Sequence, residues 1–121
     1  MNETIELLQY AFNTRNRLTV PISATGSAGM EAALCNVIEP GDEVIVAENG
    51  YFGERMSEIV NRCGGKVTGV KNEWGKAATE ENIEVALRKT KAKVVAVVHA
   101  ETSTGVIQPL SEISKLAHDY N

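Results

Sequence analysis

Thr25-Gly26-Ser27 stands where an apolar, extended run, residues 18–23, passes into a helical one, residues 27–38. Two hydroxyls around a glycine at such a corner suit an anion. The first N–H groups of a helix lack intrahelical partners, and the helix dipole adds partial positive charge. Gly26 lets the backbone come close to a ligand, and the hydroxyls of Thr25 and Ser27 donate to the same group. The chemistry that fits is phosphate binding. An ordinary strand-to-helix turn, with Thr25 or Ser27 as N-cap, uses the same residues. Two further segments carry reactive or recognising side chains. Residues 48–53 offer the aromatic pair Tyr51 and Phe52, and residues 99–105 offer an imidazole, a carboxylate and several hydroxyls. A phosphorylated, planar ligand would use all three segments.

The elements that must position these segments alternate. Residues 3–13 read as a helix with Ile5, Leu8 and Phe12 on one face and Asn2 as its cap. Residues 18–23 read as a strand. Met30, Ala33, Leu34, Val37 and Ile38 mark one face of the helix over 27–38, which Glu39-Pro40-Gly41-Asp42 stops. Residues 43–47 are a short apolar strand. Phe52, Met56, Ile59, Val60 and Cys63 form the next helical stripe, ended by Gly64-Gly65. Residues 66–71 are a weaker strand, and Thr79 caps a helix over 80–90. Residues 94–98, all valine or alanine, are the most strand-like run. Leu110, Ile113, Leu116 and Ala117 define a last helix beside Pro109. This alternation predicts an α/β fold with three layers and a mainly parallel sheet. Ligands in such sheets lie at the carboxyl ends of the strands, where the three segments fall.

The 121 residues fit one domain, with no repeat, linker or low-complexity tract. Twelve basic residues face 16 acidic ones, a net charge of −4, and the only basic cluster is 88–93. That cluster reads as a helix C-terminus and a strand start, which argues against nucleic acid as a partner. Cys35 and Cys63 show no metal-ligand spacing and read as buried free thiols in a reducing compartment. No apolar run approaches a membrane span and no targeting segment is seen, so a soluble, cytoplasmic protein is expected.

Taken together, Thr25-Gly26-Ser27-Ala28-Gly29-Met30-Glu31-Ala32, Glu39-Pro40-Gly41-Asp42, Asn49-Gly50-Tyr51-Phe52-Gly53-Glu54-Arg55 and His99-Ala100-Glu101-Thr102-Ser103-Thr104-Gly105 closely resemble the class V pyridoxal-phosphate-dependent aminotransferases, in the alanine–glyoxylate and serine–pyruvate branch. The resemblance runs the length of the chain. It implies part of the large, cofactor-binding domain of the type I fold, and amino-group transfer from an amino acid to a 2-oxo acid. It implies that Thr25, Gly26 and Ser27 hold the cofactor phosphate, although the family often has histidine where Ser27 stands. Phe52 falls where a ring, often tryptophan in the family, stacks on the pyridine, with Tyr51 as its neighbour. Thr102 falls where a hydroxyl meets the cofactor's phenolic oxygen. The plainer roles are a core position for Phe52, a structural hydrogen bond for His99, loop ordering for Glu101 and a positive-φ turn for Gly105.

Transamination also needs a Schiff-base lysine and a carboxylate against the pyridine nitrogen. In the family both follow the last helix seen here, as does the small domain. Lys66, Lys71, Lys76, Lys89, Lys91, Lys93 and Lys115 lie outside the three segments. The expectation is a partial domain, residues 1–121, with no catalytic residue and no metal, inactive alone and binding pyridoxal phosphate weakly or not at all. In the family's domain, later strands lie beside the first strand. Without them residues 94–98 would form an open edge that recruits another chain. Self-association, strand exchange, or repacking of residues 18–23 beside 94–98 would close it. A non-catalytic phosphate-ligand module and a self-associating interaction module are the alternatives.

Overall fold

The computed structural model describes residues 2–120. Five helices and five strands follow in order: α1 (Asn2–Ala11), α2 (Gly26–Val37), β1 (Glu43–Glu48), α3 (Tyr51–Arg62), β2 (Lys66–Lys71), α4 (Glu80–Lys89), β3 (Val94–Ala96), β4 (Ala100–Glu101), β5 (Val106–Ile107) and α5 (Ser111–Asp119). β1 lies at the centre of a parallel three-stranded sheet of order β2-β1-β3, with Val44 opposite both Val67 and Val94. β4 and β5 form a small antiparallel hairpin.

The period of two along β1 builds the layers. Val44 and Val46 pack with Leu34 and Ile38 of the α2 segment and with Met56, Ile59 and Val60 of α3. Ile45 and Ala47 face the other way, onto Ile83, Ala86 and Leu87 of α4 and Ile113 of α5. Both faces of β1 are thus covered, and four consecutive apolar residues are buried rather than alternate ones. Each fully buried isoleucine or valine contributes roughly 1.5–3 kcal/mol. The three-layer α/β arrangement expected from the alternation is the observed one.

Local chemistry sets the boundaries. The Asp42 carboxylate accepts from the Glu39 N–H at 2.8 Å, the Asp42 N–H donates to the Glu39 carbonyl at 3.0 Å, and Gly41 has φ +94°; this is the turn after α2. Gly64, at φ +82°, ends α3 as the Gly-Gly pair predicts. The Thr79 hydroxyl caps α4 by accepting from the Asn82 N–H at 3.3 Å. Gln108, 1 % exposed, joins the α4 entrance to the chain after β5: its Oε1 accepts from the Ala78 N–H at 2.7 Å and its Nε2 donates to the Ala78 carbonyl at 3.1 Å.

The expectations fail at several points. Residues 18–23 form no strand. Leu18 is 84 %, Val20 52 % and Ile22 49 % exposed. Among the described residues no strand pairs with this segment, and Pro21 lacks a donor. The segment is also not repacked beside β3, whose neighbour in the sheet is β1. β3 itself stops at Ala96, leaving Val97 and Val98 outside the ladder. On α1, Ile5 and Leu8 are half-buried but Phe12 is exposed, because it follows the last helical turn. Any cap from the Asn2 side chain lies outside the described side chains. On α2, Leu34 and Ile38 are buried, Met30 is half-buried, and Ala33 and Val37 stay exposed on the flank. Cys35 is exposed and Cys63 half-exposed, not buried: Cys35 sits one position off the Leu34–Ile38 stripe. No helix among the described residues is long and apolar enough to cross a membrane.

Candidate functional site

β1 and α3 are joined by a two-residue turn, Asn49-Gly50, whose tightness depends on two glycines. A Cβ on Gly53 would lie 2.8 Å from the Ala47 carbonyl oxygen and 2.9 Å from the Glu48 Cα. Only glycine lets the first turn of α3 rest directly on the end of β1. A Cβ on Gly50 would lie 2.5 Å from the Glu101 Cγ and 2.7 Å from the Ser103 Oγ. Those side chains occupy the space because they cap α3 from the hairpin, about 50 residues away. Glu101, fully buried, accepts from the Phe52 and Gly53 N–H groups through Oε2, at 3.1 and 3.2 Å. Its Oε1 accepts from the Ser103 N–H and hydroxyl at 3.2 and 2.6 Å. The Ser103 hydroxyl oxygen accepts in turn from the Tyr51 N–H at 3.0 Å. Orphan amides at a helix N-terminus need acceptors, and a carboxylate there also meets the positive end of the dipole. Neither residue was placed in this role by the sequence pattern. A cap from the same segment announces itself by spacing, whereas a cap from 50 residues downstream has no local signature.

The other face of the same hairpin borders an open cleft of about 370 Å³. Gly26, Ser27, Met30, Phe52, Val98, Ala100 and Thr102 line it. It lies beyond the carboxyl ends of β1 and β3, where residues 48–53 and 97–102 leave the sheet. Four of the five residues singled out from sequence, Gly26, Ser27, Phe52 and Thr102, therefore share one wall-to-wall space. Thr25 stands just outside the lining. It precedes α2 in extended conformation (φ −69°, ψ 161°), its carbonyl accepts from the Ala28 and Gly29 N–H groups, and its side chain makes no capping bond. The N-terminus of α2 thus has no side-chain cap, in contrast to that of α3.

Phe52 is half-buried and meets the exposed Tyr51 ring edge-on, with centroids 5.4 Å apart and planes at 82°. Tyr51 is not among the residues that line the cleft. His99 is tied to Gln108: its Nδ1 lies 3.1 Å from the Gln108 carbonyl oxygen, and its own carbonyl accepts from the Gln108 N–H at 2.8 Å. Gly105 has φ +76° in the hairpin turn, the conformation its position predicted. Asn49 is 1 % exposed, and its side-chain oxygen and nitrogen find no partner among the described residues. Among the described residues no lysine, aspartate or glutamate lines the cleft.

The lining combines three chemistries. The first turn of α2 supplies amides and a hydroxyl for an anion, Phe52 with Met30 and Val98 supplies an apolar wall, and Thr102 supplies a second hydroxyl. The volume falls within the range usual for small-molecule sites.

Comparison with known proteins agrees with this architecture. The profile of the class V aminotransferases matches residues 1–121. The (S)-ureidoglycine–glyoxylate transaminase of Bacillus subtilis is 46 % identical over 115 residues, 95 % of this chain and 28 % of the relative. The alanine–glyoxylate aminotransferase of Oryctolagus cuniculus is 39 % identical over 120 residues, 99 % of this chain and 31 % of the relative. The crystal structure of alanine–glyoxylate aminotransferase from Nostoc sp. superposes with a TM-score of 0.95 at 40 % identity, covering 99 % of this chain and 32 % of that one. The fold is accordingly part of a domain of the type I fold of pyridoxal-phosphate-dependent transferases. With a match along its whole length, the chain belongs to the class V aminotransferases, and it spans about three-tenths of the length of the relatives it matches.

Proposed function

We propose that residues 1–121 form a single partial cofactor-binding domain, carrying the phosphate and ring side of a pyridoxal 5′-phosphate site. The activity served is transfer of an amino group from an amino acid to a 2-oxo acid, with glyoxylate the first acceptor to test. The observation that carries this reading is the cleft itself. Gly26, Ser27, Phe52 and Thr102 come from three segments far apart in sequence, and one space joins them with an apolar wall between.

The residues fit the group. Bound pyridoxal phosphate supplies the electron sink for amino-group transfer. The first turn of α2, free of a side-chain cap, attracts the phosphate with roughly 0.3–2 kcal/mol, and the Ser27 hydroxyl donates to it. Thr25 fixes where the helix starts and brings a second hydroxyl to the rim. Phe52 offers a ring face worth about 1 kcal/mol. Thr102 holds an oxygen on the ring, and Met30 and Val98 keep water from its edge. No lysine stands in the lining, so these residues bind and orient but hold no amine for covalent attachment. By themselves they are expected to bind with a dissociation constant of about 1 mM or weaker. Among the described residues no strand pairs with the outer edge of β3, which supports self-association through that edge.

The test is a titration of the purified chain with pyridoxal phosphate, pyridoxal and inorganic phosphate, followed by amide chemical shifts. Shifts should centre on residues 26–30, 52 and 100–102. Pyridoxal phosphate should bind more tightly than either part, and Phe52→Ala should weaken it severalfold. Equal affinity for pyridoxal with and without phosphate would remove the anion corner from the reading. Borohydride reduction that labels one lysine stoichiometrically would overturn the absence of an attachment point.

A further inference from the structure

Cys35 and Cys63 are the only cysteines of the chain, and the function above uses neither. The fold brings them together from α2 and from the end of α3, 28 residues apart, with their sulfurs 2.9 Å from each other. That is closer than two unbonded sulfurs normally approach and about 0.9 Å beyond the roughly 2.05 Å of a disulfide bond. Both are free thiols. Cys35 is exposed and Cys63 half-exposed, so a small oxidant reaches them without unfolding. Among the described residues no group of three or more histidine, cysteine, aspartate or glutamate side chains is placed to hold a metal ion.

We propose that Cys35 and Cys63 are a redox modification site, closing a reversible disulfide between α2 and α3 when hydrogen peroxide is present. One sulfur, as thiolate, attacks the peroxide oxygen; the O–O bond breaks, and a sulfenic acid and one water result. The second sulfur attacks the sulfenic sulfur, the S–S bond forms, and the hydroxyl leaves as a second water. Two thiols give up two electrons and two protons in total, and the peroxide is reduced to two waters. An excess of dithiol reverses the bond by exchange. The 2.9 Å spacing makes the second step fast, because the resolving thiol is already in place.

The bond would join the two helices whose first turns line the cleft, α2 through Gly26 and Ser27 and α3 through Phe52. Its formation does not depend on what the cleft binds. The hydrogen bond between the two sulfurs raises the Cys35 thiol above the usual range.

The test treats the purified chain with one equivalent of hydrogen peroxide and reads the intact mass without reductant. The expected result is a loss of about 2 Da in the monomer, loss of both alkylatable thiols, a cross-linked peptide containing Cys35 and Cys63, and full reversal by dithiothreitol. The variant Cys35→Ser, at an exposed position, should fold normally and lose the 2 Da change. Hydrogen exchange should slow along α2 in the oxidised chain. Oxygen adducts on separate thiols, or disulfide-linked dimers in place of the internal bond, would overturn the proposal. Unchanged exchange in α2 after quantitative cross-linking would overturn the expected restraint of α2 by the bond.

Discussion

Replacing Glu101 by alanine should destabilise the chain more than any change at a cleft-lining residue. Four hydrogen bonds end on this buried carboxylate, two from the first turn of α3 and two from Ser103. Alanine leaves the N–H groups of Phe52, Gly53 and Ser103 without an acceptor. Gly53 is buried and Phe52 half-buried, so water replaces the lost partner poorly. Each bond to a charged group contributes roughly 1.5–3 kcal/mol, and a lost cap alone costs about 1 kcal/mol. Removing the carboxylate also removes its own desolvation cost, which offsets part of the sum. The net expectation is a loss of about 3–4 kcal/mol. With a urea slope of about 2 kcal/mol/M, the midpoint should fall by roughly 1.5–2 M. Glu101→Gln keeps one acceptor oxygen for α3 but turns an amide toward Ser103, so about 1–2 kcal/mol should be lost. Ser103→Ala, which removes the acceptor for Tyr51, should cost about 1 kcal/mol. Urea unfolding followed by circular dichroism gives all three values. A Glu101→Ala chain within 0.5 kcal/mol of the parent, or a Gln variant as damaged as the Ala one, would refute the trans-capping argument.

Other consequences are as direct. Gly53→Ala must push α3 off the β1 backbone and should cost about 1–3 kcal/mol in the same urea assay. Gln108→Leu strands the N–H and carbonyl of buried Ala78 and should cost about 2–4 kcal/mol by the same measure. Hydrogen bonds from Lys93, Arg88 and Lys115 hold the carboxyls of Asp42, Glu84 and Glu112 below their usual range. Their ion pairs therefore contribute fully above the ordinary carboxylate pKa and are lost as pH falls below it. The urea midpoint should stay level from pH 8 to about 5 and decline below about 4. Because the Cys35 thiol is raised, its oxidation by peroxide should quicken by up to about tenfold per pH unit between pH 7 and 8, read by intact mass.

Sequence patterning reached the elements whose signals are local. The stripe of Met56, Ile59 and Val60, the Thr79 cap, the Gly64 stop and the Pro40-Gly41 turn each depend on neighbours within four residues, and each stands where expected. Residues 18–23 carry the composition of a strand but lack a partner in the sheet, and composition does not report partners. The β4–β5 hairpin has strands of two residues, too short for a period to show. The cleft was partly legible because Gly26, Ser27, Phe52 and Thr102 sit in motifs that resemble one family. Met30, Val98 and Ala100 were not, since their place in the lining follows from packing. For Glu101 the sequence suggests loop ordering, which its bonds to Ser103 perform, but not the cap on α3. Its partners, Phe52 and Gly53, are backbone amides, which carry no sequence identity.

The hairpin segment 100–103 works on two sides at once. Ala100 and Thr102 border the cleft, while Glu101 and Ser103 grip α3. Its residues are therefore in phase, like teeth on a gear. Inserting or deleting a single residue here would exchange the two sets and aim hydroxyl and carboxylate at the wrong surfaces. A two-residue change would preserve the phase and only alter the reach. The helix held by the odd-numbered teeth carries Phe52, which faces the even-numbered ones. Substitutions at Glu101 and Ser103 should thus disturb the cleft wall at Phe52, although neither side chain lines the cleft.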